Sequence, residues 1–179
     1  MVSRCHLLRL ILLVSVALSC IQFATAETPH RFPLTQLENS RCRGKGRLQD
    51  CNDSPVIRQI LEGGMSSIPV LIAQLTEADR REEPVEDFWS YTTSGDVAFM
   101  LLNDLFTDKD GKTFTMPGVP NWTTATNGCR ASAEACWRLY VHTRGMLSIQ
   151  SAWQTSWNSN HDRLSWDSGA KCFRLSSSK

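Results

Sequence analysis

The sequence predicts a mainly α-helical fold of about five helices that ends in a small β-hairpin. Apolar side chains recur with the i, i+3, i+4, i+7 spacing of amphipathic helices in several segments between residues 53 and 158. Gly63 and Gly145 follow such segments, where a helix can end. The 179 residues are 41% hydrophobic and 21% charged, as in an ordinary globular domain, which excludes wholesale disorder.

The first two helices are predicted between residues 53 and 75. Asp53 or Ser54 can cap the first helix, and Pro55 suits its first position because proline lacks only an amide that has no partner there. The two glycines at 63–64 end this helix, since glycine adopts positive φ at little cost. The second helix begins near Ser66, and its apolar stripe comprises Ile68, Leu71, Ile72 and Leu75.

A third helix is predicted from Ser94 to Phe106, after a polar loop at residues 76–93. Ser94 can cap this helix, and the carboxylate of Asp96 interacts favourably with the positive end of its dipole. The stripe expected to face the core comprises Ala98, Leu101, Leu102 and Leu105.

The fourth and fifth helices are predicted from about Ala131 to Arg144 and from Met146 to about Asn158. The apolar stripes comprise Ala133, Cys136, Trp137 and Tyr140 in the fourth helix and Met146, Ile149, Trp153 and Trp157 in the fifth. Little more than Gly145 joins the two helices, so we expect them to pack as an antiparallel pair. This packing would bring Trp137, Trp153 and Trp157 into one buried cluster.

Residues 163–175 predict a small β-hairpin around a glycine-containing turn. A lone hairpin is only marginally stable, so this one needs an apolar surface for its side chains Leu164, Trp166, Phe173 and Leu175. The tryptophan-bearing helices are the nearest such surface in the sequence. Residues 107–128 form a further long predicted loop.

Residues 53–106 resemble part of a HEAT repeat. The segment Gly64–Ile72 resembles the second helix of one repeat, and Gly95-Asp96-Val97-Ala98 resembles the start of the first helix of the next. Val56 and Val97 are 41 residues apart, within the period of about 40–47 residues for such repeats. The resemblance implies a HEAT-like N-terminal half, of at most one and a half units.

The chain also resembles a group of secreted bacterial proteins. The shared motifs are Ser94-Gly95-Asp96-Val97-Ala98, Asp104-Leu105-Phe106 and a tryptophan-rich end that closes on Cys172-Phe173-Arg174. This resemblance implies export and brings no particular activity with it.

Residues 1–26 predict a secretory signal peptide. Arg4 and Arg9 are followed by the apolar run Leu10–Leu18 and by the small-x-small triplet at 24–26. We therefore expect a periplasmic or secreted protein whose mature chain begins at Glu27. The alternative is a lipoprotein with its lipid on Cys20. We expect no membrane span in the mature chain, because no later stretch approaches eighteen apolar residues.

The chain is thus expected to consist of a signal peptide at 1–26, a flexible N-terminal arm at 27–50 and a single helical domain at 51–179. Removing the signal peptide leaves 17 basic and 18 acidic residues. This balance disfavours a nucleic-acid partner or an anionic membrane surface, which would require a concentrated basic patch.

In an exported protein the cysteines are disulfide candidates first. The mature chain keeps Cys42, Cys51, Cys129, Cys136 and Cys172. Cys42 and Cys51 flank a glycine-containing segment that can close easily. A helix across residues 129–136 would hold those two Cα atoms about 10 Å apart, beyond the roughly 7 Å that a disulfide allows. We therefore expect Cys172 to bond to Cys129 or Cys136. Five is an odd number, so at least one thiol is free or bonds to another chain.

The sequence predicts no catalytic residue, cofactor or metal site. No cysteine pair has zinc-site spacing, and the histidines form no metal-binding motif. The Asp108–Gly111 segment fails the calcium-loop rule, because positions 1 and 12 would be Phe106 and Pro117. A nucleophilic pair of Cys136 and His142 is disfavoured, since the two would face about 120° apart on a helix.

These negative results favour a non-enzymatic binding protein. Its partner would be a protein in the cell envelope or outside the cell, and an inhibitor- or immunity-like role fits that class. Trp89 and Trp122 lie in predicted loops and are the candidate partner contacts, because indole rings are large, rigid and amphipathic. The alternative is an envelope glycan or peptidoglycan hydrolase that uses a pair of acids beside one of these tryptophans. The acids available are Asp104, Asp108, Asp162 and Asp167.

Overall fold

The computed structural model is mainly helical and has a two-stranded antiparallel sheet near the C-terminus, which confirms the predicted fold class. It describes residues 31–37, 47, 50–51, 54–79, 92–108, 110–113, 116–122 and 129–176. The α-helical segments in this part of the chain are α1 (Pro55–Gly63), α2 (Ser67–Gln74), α3 (Ser94–Leu105), α4 (Ala133–Arg144) and α5 (Met146–Asn160). A 3₁₀ turn at Gly64–Ser66 joins α1 directly to α2, so the two form one broken helix and the described chain has four helices in all.

The N-termini of α1 and α3 follow the sequence signals, except that the cap of α3 lies one residue earlier than predicted. Ser54 caps α1 by accepting from the Ile57 amide, and Pro55 occupies the first helical position. The prediction that Ser94 caps α3 is wrong by one residue: Thr93 is the cap, and it forms a reciprocal capping box with Asp96. Both residues can accept at this position, and Thr93 has the extended backbone that a cap requires.

A single apolar core joins the helices. α2 packs on α3 and on α5, and α3 also contacts the sheet. The stripes predicted for the second and third helices are buried in this core, namely Ile68, Leu71, Ile72, Leu75, Ala98, Leu101, Leu102 and Leu105. Ile57 and Ile60 of α1 are buried with them, whereas Leu61 is only partly buried. Burying side chains of this kind supplies about 1.5–3 kcal/mol each.

The tryptophans of α4 and α5 are buried to different degrees. Trp137 and Trp153 are both in the core, and Trp153 packs beside Phe106 with ring centroids 5.8 Å apart. Trp157 is only partly buried and contacts His161 at 5.5 Å. The predicted cluster of three buried tryptophans therefore holds for Trp137 and Trp153, whereas Trp157 lies at the margin of the core.

The C-terminal hairpin consists of β1 (Leu164–Asp167) and β2 (Cys172–Leu175), as predicted. In its register Trp166 lies opposite Phe173, and Asp167 lies opposite Cys172. Phe173 is buried and contacts Phe106 of the core at 5.7 Å, which fixes the hairpin on the helices. Packing by aromatic side chains thus supplies the surface that so short a sheet needs.

The predicted disulfide from Cys172 to Cys129 or Cys136 is wrong. Cys129 and Cys136 are bonded to each other, with Cα atoms 5.7 Å apart, and Cys172 is a free, buried thiol. The prediction assumed a helix over the whole 129–136 stretch, whereas α4 begins only at Ala133. Because Cys129 precedes the helix, the chain can fold back and bring its sulfur to Cys136. Cys51 is also disulfide-bonded, and its expected partner Cys42 lies outside the described residues.

Part of the N-terminal segment belongs to the core. Residues 27–50 were expected to form a flexible arm. Phe32, Leu34 and Leu37 are instead buried around a short 3₁₀ turn at Leu34–Gln36. The Gln74 side chain accepts from the Phe32 amide at 3.0 Å and donates to the Phe32 carbonyl at 2.9 Å. The described domain therefore begins at residue 31 and not at residue 51.

Arg47 fastens three parts of the chain together. Its guanidinium forms a two-point ion pair with Asp50 and donates to the backbone carbonyls of Thr107 and Ala170, at 2.8 and 2.9 Å. These contacts raise the pKa of Arg47, mainly through the hydrogen bonds to Asp50. Arg47 therefore has a structural role, since it joins its own segment to the backbone at residues 107 and 170.

The combined stretch Pro55–Gln74 is long and apolar enough to cross a membrane, judged by length and composition alone. It spans 20 residues with a mean hydropathy of 1.2. A core helix of a soluble protein can have the same properties, and here 39% of the apolar stretch is buried inside the protein.

Candidate functional site

A groove of about 400 Å³ lies between the C-terminal end of α2, the start of α3 and the outer side of α4. Its lining comprises Leu75, Thr76, Glu77, Ala78, Thr93, Asp96, Trp137, Arg138, Val141, His142 and Met146. The size falls within the range of about 300–1,000 Å³ found for ligand pockets. Most of the accessible lining is apolar, with a small number of polar groups around it.

Trp137 forms the floor of the groove and is fixed from several sides. Its ring stacks on Phe99 with centroids 3.9 Å apart, and it also contacts Tyr140 and the edge of Trp122. The indole Nε1 donates to Asp96 Oδ1 at 2.8 Å. Burial raises the pKa of the neighbouring Tyr140 phenol, so this hydroxyl stays neutral. The floor is therefore rigid and apolar.

The two carboxylates of the groove are already engaged. The second oxygen of Asp96 accepts from the Thr93 amide and hydroxyl at 2.8 and 2.9 Å. Glu77 forms an ion pair with Arg31 at 2.7 Å and accepts from Gln74 at 3.1 Å. Both acids thus hold the fold together at this point, and neither is arranged as a general acid or base toward the groove.

The far end of the groove is tied to α5. Gln150 donates to the carbonyls of Ile72 and Ala73 at 2.9 and 3.0 Å, which satisfies the last backbone acceptors of α2. The α4 residues Val141 and His142 both line the groove, and His142 is exposed. The groove thus combines a fixed apolar floor with an imidazole at its rim.

Of the two predicted contact tryptophans, Trp122 does not line this groove. Trp122 is half-buried and contacts Trp137 at 6.1 Å, so it packs against the core rather than projecting from a loop. Trp89 lies outside the described residues.

Two of the four acids considered for glycan hydrolysis, Asp108 and Asp167, have local structural roles, and Asp104 is half-buried on α3. Asp108 is buried and accepts from the amides of Asp110 and Lys112, which makes the Asp108–Gly111 segment a turn. Asp167 accepts from the amides of Gly169 and Ala170 and forms an ion pair with Arg174. Asp162 is largely exposed beside His161.

The cysteines and histidines provide no nucleophile among the described residues. Cys136 is in a disulfide, which removes the Cys136–His142 pair from consideration. Burial raises the pKa of the Cys172 thiol, which disfavours the reactive thiolate. Within the described ranges, no three His, Cys, Asp or Glu side chains come together in a way that could hold a metal ion.

The groove itself could not be found from the sequence. Asp96 and Trp137 are 41 positions apart, and Arg31 and Glu77 are 46 apart, so no local pattern connects them. No protein-family model, curated protein or solved structure matches this chain. The HEAT-like resemblance of residues 53–106 therefore stays a prediction.

Proposed function

We propose that this is an exported, periplasmic or secreted binding protein that holds a protein partner through the groove over Trp137. One observation carries the proposal: the groove has an apolar floor, while its carboxylates are occupied by Thr93, Trp137, Arg31 and Gln74. An apolar cleft with few polar groups suits recognition of a side chain better than bond cleavage. An inhibitor- or immunity-like role is consistent with such a surface.

The disulfide supports the exported location. Cys129 and Cys136 are bonded within the chain, and such bonds persist mainly in oxidising compartments. The bond also lies next to Trp137, so it anchors the start of the helix that forms one wall of the groove. A rigid wall lowers the ordering cost of binding.

Nothing in the described geometry favours the alternative, an envelope glycan hydrolase. Such an enzyme needs two carboxyl groups about 5–9.5 Å apart, one of them free to donate a proton. Asp108 and Asp167 are engaged in turns, Asp167 also forms an ion pair, and Asp162 is exposed beside His161.

The proposal can be tested with two matched charge substitutions. Val141→Asp puts a charge into the groove, whereas Leu147→Asp puts one at an exposed leucine that does not line it. We would capture partners from the native envelope fraction, identify one by mass spectrometry and measure its binding to each purified variant. We expect Val141→Asp to weaken binding by at least tenfold and Leu147→Asp to leave it unchanged.

Equal binding by the wild type and Val141→Asp would overturn the groove as the binding site. Trp89→Ala, measured in the same assay, tests the contact tryptophan that lies outside the described residues. Release of soluble sugar fragments from purified peptidoglycan by the wild-type protein would contradict a purely binding role and support the hydrolase.

A further inference from the structure

A second, much smaller cavity is lined in part by Trp122. It has a volume of about 20 Å³ and is bounded by α3, the loop at 113–122 and α5. The residues that matter for its chemistry are Asn103, Phe106, Thr113, Met116, Trp122 and Trp153. Phe106 and Met116 make its walls apolar, whereas Asn103 and Thr113 bring polar side chains to it.

Trp153 stands out among these residues because its indole N–H is buried and has no acceptor within the described part of the chain. Its side chain is 4% exposed, so bulk water does not reach it. The other fully buried indole, Trp137, donates to Asp96 at 2.8 Å. A buried donor without a partner loses its full solvation, so native proteins rarely leave one unpaired.

We propose that this cavity is a binding site for one water molecule that accepts a hydrogen bond from Trp153 Nε1. A cavity needs a volume of roughly 10–15 Å³ to hold one water molecule. The volume of about 20 Å³ found here therefore admits one water molecule and no larger ligand. A buried water typically makes about three hydrogen bonds. Asn103, Thr113 and Asn121 bring further polar side chains to the lining. The Thr113 hydroxyl also contacts the Thr107 hydroxyl at 3.0 Å.

The bound water joins three elements of the fold. Trp153 belongs to α5, Asn103 to α3 and Thr113 to the loop that leads to Trp122. The hydrogen bonds of this buried water therefore hold the loop that leads to Trp122 in place. This effect does not depend on a partner in the larger groove.

A high-resolution crystal structure of the wild-type protein tests the site directly. We expect one ordered water within about 3.2 Å of Trp153 Nε1. In Trp153→Phe this water should be lost or displaced, while in the matched control Trp137→Phe it should remain. An empty cavity in the wild type, or a protein acceptor bonded to Trp153 Nε1, would overturn the proposal.

A solution measurement on the unmodified protein covers the case in which the variants do not fold. We would assign the indole N–H proton of Trp153 by NMR. We expect a cross-relaxation signal between this proton and a long-lived water. The Trp137 indole, which donates to Asp96, serves as the internal reference and should show none. Equal signals from both indoles, or none from Trp153, would contradict a bound water at this position.

Discussion

At the residue scale, Asp96 carries the most connections around the groove. One carboxylate oxygen closes the capping box of α3 with Thr93, and the other accepts from the Trp137 indole. The same side chain therefore orients a helix N-terminus and a tryptophan on another helix. Sequence reasoning placed Asp96 at the helix dipole correctly, but the Trp137 contact depends on tertiary packing that no local pattern encodes.

Replacing Asp96 by alanine tests this double role. The variant loses the cap interaction, which is typically worth about 1 kcal/mol, and leaves the buried Trp137 N–H without its acceptor, which costs about 1–3 kcal/mol. We expect Asp96→Ala to lower the free energy of unfolding by roughly 2–4 kcal/mol in a denaturant titration. Asp96→Asn keeps one acceptor oxygen and should lose less. An equal loss for both variants would argue against the Trp137 hydrogen bond.

Asp167 gives the hairpin a dependence on pH. The Ala170 amide, together with the Gly169 amide and Arg174, lowers the pKa of Asp167 in the folded protein. A lowered folded-state pKa means that the ionised form stabilises the fold. This contribution is complete above the unfolded-state pKa of about 3.9, and it is lost as the pH falls through the lower folded-state pKa. We expect acid to destabilise the wild type more than Asp167→Asn below about pH 4, as measured by thermal unfolding at several pH values.

At the element scale, the close approach of α2 and α3 depends on Gly95. The Gly95 amide donates to the Glu77 carbonyl at 3.0 Å, and the Ser94 amide donates to the Asp79 carbonyl at 2.9 Å. A Cβ atom at Gly95 would collide with the Leu75 carbonyl oxygen, which is backbone and cannot move aside cheaply. In the sequence Gly95 belongs to the motif Ser94-Gly95-Asp96-Val97-Ala98, but no local pattern indicates this close approach.

Gly95→Ala is therefore expected to destabilise the protein although alanine is the better helix former. Overpacking of this kind costs about 1–3 kcal/mol, and the propensity gain of up to about 1 kcal/mol offsets only part of it. Gly169→Ala is the matched control, because its Cβ would make only an ordinary contact, 3.4 Å from Asp167 Oδ1. A Gly95→Ala variant with a raised melting temperature would contradict the close approach.

The cysteine pairing could not be predicted because it depends on where helix α4 begins. The periodic stripes indicate the existence and order of the helices, but not this starting point. A helix over the whole 129–136 stretch would keep Cys129 and Cys136 apart, whereas α4 begins at Ala133 and leaves Cys129 free to reach Cys136. Helix ends are set by caps such as Ser132, whose hydroxyl accepts from the Ala135 amide, and apolar periodicity does not report them.

The observed pairing predicts the thiol chemistry of the protein. Cys172 is 0% exposed, so under native conditions it should not react with a thiol reagent until the hairpin opens. A Cys129→Ser, Cys136→Ser double variant should lose about 2.5 kcal/mol, the chain-entropy value for so short a loop. Peptide mapping without reductant should recover a 129–136 cross-link and an unmodified Cys172. Recovery of Cys172 in a disulfide would contradict the structure.

At the scale of the whole molecule, the fold class was predictable and the domain boundary was not. The helices and the hairpin carry clear periodic signals, whereas Phe32, Leu34 and Leu37 lie around a proline and a 3₁₀ turn that follow no repeat. Only tertiary contacts, such as the paired hydrogen bonds between Phe32 and Gln74, show that this segment is part of the core. For the same reason the groove, assembled from distant segments, could not be anticipated.

The domain boundary can be tested by truncation. A chain that starts at residue 38 loses three buried apolar side chains, each worth about 1.5–3 kcal/mol, together with the Arg31–Glu77 ion pair at the groove. The summed loss, roughly 5 kcal/mol or more, approaches the entire stability of many domains. We therefore expect this chain to unfold or aggregate, while a chain that starts at residue 31 melts cooperatively, as followed by circular dichroism. If both truncated chains melted at the same temperature, residues 31–37 would be a detachable arm after all, because their burial would then contribute nothing to the stability of the core.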